Sequence, residues 1–396
     1  MNVIPAPSFI CAGELAKVAH KSKAMTCDAR YSQRAIGNAV MAKQARTKKV
    51  SILALAVVSL LASSVQAQTV SSADDSRDIS GMRIQVDNDL FAGGGERDRD
   101  YTGGMAITIS GREARDGFAS LDPWLGKIDG WLVPESARGE VHHARQVGLM
   151  AFTPADIESA APLRADRPYA SLLFLANGRV SVDADGRNAW SSNLTVGVLG
   201  LALSGRIHSE VHKLTGSDQP RGYDNQISAG GEPTARYTLA RHHLLVANPS
   251  GTLDVKTTVQ GSVGYLTEAS ASISMRVGRF DSPWWGFAPE LTDYIGAPLP
   301  VVGRPHGQPE IYFFTGAGVK ARAYNAFLQG QFRDSPVEYS ASDLEPMVFE
   351  VWAGFVTQLF EQTQLSYTVN YQTAEIRDGD ASRDSLWGAV QLTHSF

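Results

Sequence analysis

Cysteine is nearly absent from this sequence. Cys11 and Cys27 are the only two in 396 residues. Both precede an apolar run at residues 50–65, rich in Leu, Ala and Val. Lys43, Arg46, Lys48 and Lys49 lead into that run, and Val65-Gln66-Ala67 closes it with small residues two apart. This is the pattern of a secretory signal cleaved after Ala67. The run is short for a membrane-spanning helix and polar sequence follows it, so cleavage is expected rather than anchoring. Translation from Met41 would give a signal of ordinary length. A chain cut there keeps no cysteine, which excludes disulfides, thiolate nucleophiles and Cys-based zinc sites. Positive charge is also sparse. Nine of the 36 Lys and Arg lie in the first 67 residues, leaving 27 basic against 39 acidic groups, a net of −12. An acidic exported chain is a poor candidate for binding nucleic acid.

Helical periodicity is scarce beyond residue 67, and period-two alternation takes its place. In residues 364–372, Leu365, Tyr367, Val369 and Tyr371 alternate with Ser366, Thr368 and Asn370. Residues 252–260 and 272–278 repeat the pattern. Another such run sets Tyr101, Met105, Ile107 and Ile109 against Thr102, Thr108 and Ser110. A soluble sandwich and a membrane barrel both alternate in this way. Three observations favour the barrel: an export signal, Tyr and Trp near strand ends, and a last strand that ends on an aromatic. In that strand Leu386, Gly388, Val390, Leu392, His394 and Phe396 share a face. This resembles the terminal strand by which outer-membrane barrels address their insertion machinery.

The expected fold is therefore an all-β, antiparallel transmembrane barrel of about twelve strands over residues 80–396. The strands begin near residues 82, 101, 144, 168, 189, 234, 252, 270, 308, 346, 363 and 385. With both termini periplasmic, residues 88–101, 153–167 and 204–231 fall on the outer rim. The connections 112–143 and 280–307 fall on the inner side, where short turns are usual. Either they are real insertions or the count is wrong by a hairpin.

No Gly-x-Ser-x-Gly elbow is present. The candidates for chemistry lie elsewhere. Residues 87–104 read DNDLFAGGGERDRDYTGG, a cluster of carboxylate and amide oxygens of the kind that suits calcium. The same residues also form ordinary hairpin tips. One helical piece, residues 207–214, puts His208 and His212 four apart on one face, with Glu210 between them and Asp218 just beyond. Ser209 directly after the first His removes the zinc-protease pattern. One His could act as a general base oriented by a carboxylate, and a solvated polar helix is the alternative. Thr102 could be a nucleophile, a ligand or a plain strand residue. Arg167, in Asp166-Arg167-Pro168-Tyr169-Ala170, could neutralise a phosphate or form a structural ion pair. Pro283-Trp284-Trp285-Gly286-Phe287 reads as an interfacial aromatic cluster or as packing at a barrel end.

Taken in order, these motifs resemble those of the outer-membrane lipid A 3′-O-deacylases. Asn88-Asp89 follows a strand, Asp100-Tyr101-Thr102-Gly103-Gly104 opens the next, and the Asp166–Ala170 motif, Val211-His212, the segment at 222–226 and the segment at 324–328 follow. The likeness runs from about residue 80 to Phe396. It implies a twelve-stranded barrel with a short helix in an extracellular loop and a calcium-dependent esterase site at the outer rim. It also implies that lipopolysaccharide is the substrate. Carried over residue by residue, Asn88, Asp89 and Thr102 match the family's polar cluster, with Asp89 and Asn88 nearest the Ca2+. His212 matches the general base, and Asp218 falls where a Glu is found. Arg167 is left to balance a phosphate, because the third-to-fourth strand loop reads Ala155-Asp156-Ile157-Glu158-Ser159 where a basic pair is expected. A barrel phospholipase and a porin-like structural barrel are the other readings.

Overall fold

The computed structural model describes residues 78–396 except 94–98, 138 and 249. The expected signal at 1–67 lies outside the described residues. One compact unit holds the elements named below, except for Thr215 at the end of one outer-loop helix; the segment Thr215–Ser217 is not part of that unit.

Twelve strands close into an antiparallel barrel. They are β1 (Gly81–Asn88), β2 (Asp100–Ser110), β3 (Val141–Thr153), β4 (Ala170–Val182), β5 (Asn188–Leu199) and β6 (Glu232–Ala247). There follow β7 (Leu253–Gly264), β8 (Leu266–Arg279), β9 (Ile311–Asn325), β10 (Met347–Phe360), β11 (Thr363–Gln372) and β12 (Ser385–Ser395). Each strand pairs with its sequence neighbours, and β1 closes the wall on β12, from Gly81 opposite Ser395 to Asn88 opposite Gly388. Closure leaves no free sheet edge, as a spanning wall requires. No described helix is long and apolar enough to cross a membrane, which says nothing about a barrel. Helices are short: α1 (Arg112–Asp116), α2 (Asp122–Leu132), α3 (Ala202–Thr215) and α4 (Ala326–Gln329).

Alternation decides the two faces. Val147, Val259, Val263, Ile273, Phe313 and Phe349 stand exposed on the outside of the wall. Their neighbours in sequence point into the lumen. Tyr101 departs from the expected pattern. Alternation places it on one face with Met105 and Ile107, yet it is 1% exposed against 43% and 39% for those two. A bulge at Thr102 is the reason: Tyr101 pairs with Phe152 but Gly103 pairs with Ala151, so one residue is skipped. The extra residue reverses the facing of everything beyond it. Gly103, at φ +157°, is suited to this site because a Cβ there would lie 2.4 Å from the Asp87 carbonyl oxygen.

Both inner-side connections are real insertions, and the strand count stands. The segment between β8 and β9 enters the lumen and fills it. There Glu290 meets Lys256 at 3.0 Å, and Asp293 meets Arg236 at 2.6 Å and Lys320 at 2.9 Å. Tyr294 reaches Tyr101, Phe152, Phe327 and Trp387, a buried aromatic cluster beneath the outer rim. The charges are costly to bury, but each finds an opposite partner, which is what makes such a core tolerable. The expected aromatic cluster at 283–287 belongs mainly to this insertion. Phe287 packs edge-on against Tyr312 and Phe314, and Trp285 stacks on His142.

Candidate active site at the outer rim

The end of β1 is shaped by Asn88. Its backbone is extended at φ −159°, and its Oδ1 accepts from the Leu90 N–H at 2.9 Å. This caps the tight turn Asp89–Ala92. The Asn88 Nδ2 donates to the Thr102 carbonyl at 3.1 Å, tying the turn to the bulge on β2. The turn folds over the outside of the wall. Tyr367 donates its O–H to the Phe91 carbonyl at 2.6 Å, and Gly388 lies so close beneath that a Cβ would meet the Phe91 Cβ at 2.6 Å. Asp89 is buried, with Oδ2 accepting from the Arg99 N–H at 3.2 Å. Thr102 is buried too, its hydroxyl 2.6 Å from that of Thr153 at the end of β3. Asn88 thus joins the Asp89 turn to the main chain of Thr102, which sets one carboxylate and the Thr102 and Thr153 hydroxyls at the neighbouring outer ends of β1, β2 and β3. The Asn88 oxygen already serves as a cap, so Asn88 acts on its neighbours' positions.

The second group sits on α3, above β5. Leu203, Ile207, Val211 and Leu214 form an exposed apolar stripe at helical spacing. The two histidines lie on another face. Gly205 lets α3 rest on Tyr223, since a Cβ there would lie 2.8 Å from its ring. His212 Nδ1 meets the Asp218 main-chain oxygen, which can only accept, so Nδ1 carries the proton. A neutral His212 then has its lone pair on Nε2. That nitrogen is 2.7 Å from His208 Nε2, so His208 donates there. His208 Nδ1 in turn accepts from the Tyr223 hydroxyl at 3.0 Å. The hydrogen-bond chain Tyr223, His208, His212, Asp218 fixes both tautomers.

The expected role of the Asp218 carboxylate needs correcting. Asp218 is exposed, and it is its carbonyl that orients His212. Glu210 is likewise diverted, to Lys213 at 2.6 Å on the exposed face. Asp218→Ala should therefore change turnover less than threefold (roughly one hydrogen bond is worth more than that), measured as the initial rate of acyl release. A loss of the size expected for His212 would reinstate the carboxylate.

Burial and, behind it, the neighbouring His212 hold His208 down at about 3. A histidine held neutral binds fewer protons in the folded state than in the opened one between its folded value and its ordinary 6.5. The seat of α3 should therefore be fully stable above about 6.5 and weaken as pH falls toward about 3. Amide exchange across α3 at pH 7 and pH 5 checks the sign.

Arg167 is turned into the protein. It is 3% exposed, bonded to Glu375 at 2.6 Å and laid over the Phe152 ring at 4.7 Å. Of the two roles that the sequence leaves open for Arg167, the ion pair is the one its side chain makes here, with Glu375 in place of a nearby Asp. Among the described residues, no three His, Asp or Glu side chains are placed to hold a metal ion. The donors present at the first cluster are one carboxylate and two hydroxyls, hard oxygen ligands that fit calcium in kind. Thr153 carries no distinctive sequence signal; Tyr223 lies within the motif at 222–226, but its contact with His208 is not visible in that motif.

A family model described as outer membrane protein LpxR matches residues 52–396. The chain belongs to the LpxR family. Its motifs, resembling those of the outer-membrane lipid A deacylases, thus find their family, and its place is the bacterial outer membrane. Among solved structures, LpxR from Salmonella typhimurium aligns with TM-score 0.61 at 15% identity, covering 80% of this chain and 100% of that one. The likeness bears out the fold, a closed barrel with a short helix on an outer loop. Lower similarity extends to the β domain of the Bordetella autotransporter BrkA, with TM-score 0.38, 12% identity and coverage of 81% and 100%. The translocator domain of NalP from Neisseria meningitidis aligns at TM-score 0.36 and 9% identity, covering 80% and 88%. A search of the curated proteins finds no match.

Proposed function

We propose that this member of the LpxR family is a calcium-dependent esterase that removes the 3′-acyloxyacyl group from lipid A. The observation that carries the reading is the hydrogen-bonded chain through His212, set beside an apolar stripe on the same outer-rim helix. The stripe suits acyl chains that stay in the outer leaflet. The fixed tautomer suits proton removal: with Nδ1–H on the Asp218 carbonyl, the basic nitrogen of His212 is Nε2. In the free protein that nitrogen is held by His208, and water takes the place of the His208 N–H when substrate binds.

His212 then removes a proton from that water as its oxygen adds to the ester carbonyl. The C–O bond to the sugar breaks, and the proton on Nε2 passes to the departing sugar oxygen. The products are a carboxylic acid and a free sugar hydroxyl. His208 remains neutral throughout, so it adds no repulsion to the imidazolium. Asp89, with Thr102 and Thr153, would hold the calcium, which when bound polarises the ester carbonyl and stabilises its developing negative charge. In place of Arg167, the exposed Arg99, Arg164, Arg206 and Arg221 on the outer loops are the groups available to lipid A phosphates.

The filled lumen argues against a porin. The test is mass spectrometry of lipid A from outer membranes carrying the full chain, with and without a calcium chelator. The expected result is loss of one acyloxyacyl group that the chelator prevents. Unchanged lipid A from a folded barrel with calcium present would overturn the proposal, and fatty acid released from phospholipid instead would favour the phospholipase reading.

A further inference from the structure

The insertion between β2 and β3 lies against the outside of the wall. Register shows this. On β3 the outward row runs through Val147, and two and four residues earlier it reaches Arg145 and His143. Arg145 pairs with Asn177 on β4, which pairs with Leu194 on β5 and then Tyr237 on β6. His143 pairs with Arg179, which pairs with Ser192. At the inner rim, then, the outward wall turns polar below its apolar band.

The insertion covers these groups. Asp122 meets His143 at 2.8 Å and Arg179 at 2.5 Å. Asp129 meets Ser192 at 2.7 Å and Tyr237 at 3.0 Å. Asn177 is fully buried, accepting from the Leu121 N–H at 2.9 Å and donating to the Ala114 carbonyl at 2.7 Å. Gly126 gives Arg179 room, since a Cβ there would lie 2.5 Å from its guanidinium. So α2 is seated by its polar face, with Leu125 buried beneath it.

Its other face is apolar and uncovered. Trp124 and Trp131, seven apart and hence on one side of the helix, are 62% and 92% exposed. Phe118 before the helix is 95% exposed, and Leu132 at its end is 52% exposed. Lys127 lies between the tryptophans, its ammonium 4.7 Å from the Trp124 ring. This inverts a soluble amphipathic helix, which turns its polar face to water.

We propose that α2 is a membrane-interface helix, and that Phe118, Trp124 and Trp131 insert into the headgroup and upper acyl region of the inner, phospholipid leaflet. Three observations select lipid over a protein partner. The helix lies directly below Ile107 and Val147 of the lipid-facing band, so the surface continues an interface that the barrel already has. Trp190, in the outward row of β5, extends the same level. The composition is that of an interfacial anchor: indole rings, with a lysine whose stem can bury while its charge stays at the headgroups.

The test uses the near absence of cysteine. In the full chain carrying Cys11→Ser and Cys27→Ser, a spin label is attached at Trp131→Cys, and separately at Phe118→Cys, in phosphatidylethanolamine/phosphatidylglycerol vesicles. Val147→Cys reports the lipid-facing wall, and Ala184→Cys reports the exposed turn between β4 and β5. The expected result is a preference for oxygen over a nickel complex near that of Val147 and several-fold above that of Ala184. Values matching Ala184 at both sites would overturn the proposal. Spin–spin broadening at Trp131 that vanishes on dilution with unlabelled protein would also overturn it, in favour of contact between two copies.

Discussion

Replacing His212 by alanine should lower acyl release by about a hundredfold to ten thousandfold, the range for loss of a general base. The barrel should remain folded, because α3 lies on an outer loop and its seat on Tyr223 does not depend on the His212 ring. The control is His208→Ala. The hydrogen-bond chain places the His208 lone pair on Nδ1, against the Tyr223 hydroxyl, and its proton on Nε2, against His212. The His208 lone pair stays on the Tyr223 side while that of His212 is freed when water displaces the His208 N–H, so His208→Ala should cost less than tenfold, within the scatter of one lost hydrogen bond between neutral groups. Lipid A mass spectrometry on both variants at equal barrel abundance separates the two roles. Equal losses would mean that the pair works as a unit, and a larger loss at His208 would reverse the assignment. The order of the two effects follows from the Asp218 carbonyl together with the Tyr223 hydroxyl, since a carbonyl can only accept and so keeps the proton of His212 on Nδ1.

Much of this molecule is legible in the sequence because a barrel wall repeats every two residues. The strand starts at 100, 188, 253, 363 and 385 lie within one residue of those expected from alternation. The helix carrying His208 and His212 is legible because its apolar residues recur at helical spacing. Three features are not legible, each for a physical reason. The bulge at Thr102 adds one residue to a ladder, and alternation has no mark for that. The Arg167 partner, Glu375, lies 208 residues away, so the choice between phosphate ligand and ion pair depends on closure of the whole barrel. The Asp218 contact turns on which oxygen of one residue faces the histidine, and residue identity cannot say. The inner-side insertions are visible as lengths, but not as a filled lumen or a helix laid outside the wall, because both depend on polar partners contributed by distant strands.

Glu375→Ala should be the most destabilising single change at the outer rim. One carboxylate there joins four segments. Its Oε2 accepts from Arg167, before β4, at 2.6 Å, and its Oε1 from Asn325, at the end of β9, at 3.0 Å. Arg322 on β9 and the Tyr294 hydroxyl of the lumen insertion also donate to Oε1. Burial pushes this carboxylate up, but Arg167 and Arg322 outweigh it and hold Glu375 at about 2. Truncation leaves Arg167 buried without its counter-charge, and breaking a buried pair costs about 3–5 kcal/mol. Arg322 is better protected, because Glu268 still meets it at 2.7 Å. The two halves of the pair are therefore unequal. Arg167→Met leaves Glu375 paired with Arg322 and should cost less, and adding Arg167→Met to Glu375→Met should recover most of the stability. Urea unfolding, read by the shift between folded and heat-denatured mobility on gels, ranks these variants. The pH dependence supplies a second check. A carboxylate lowered from 4.5 to about 2 contributes in full above 4.5 and loses its contribution as pH falls toward 2, so the gap between native chain and Glu375→Ala should close over that interval. If Arg167 instead gripped a substrate phosphate, Arg167→Met would leave unfolding unchanged and reduce turnover alone.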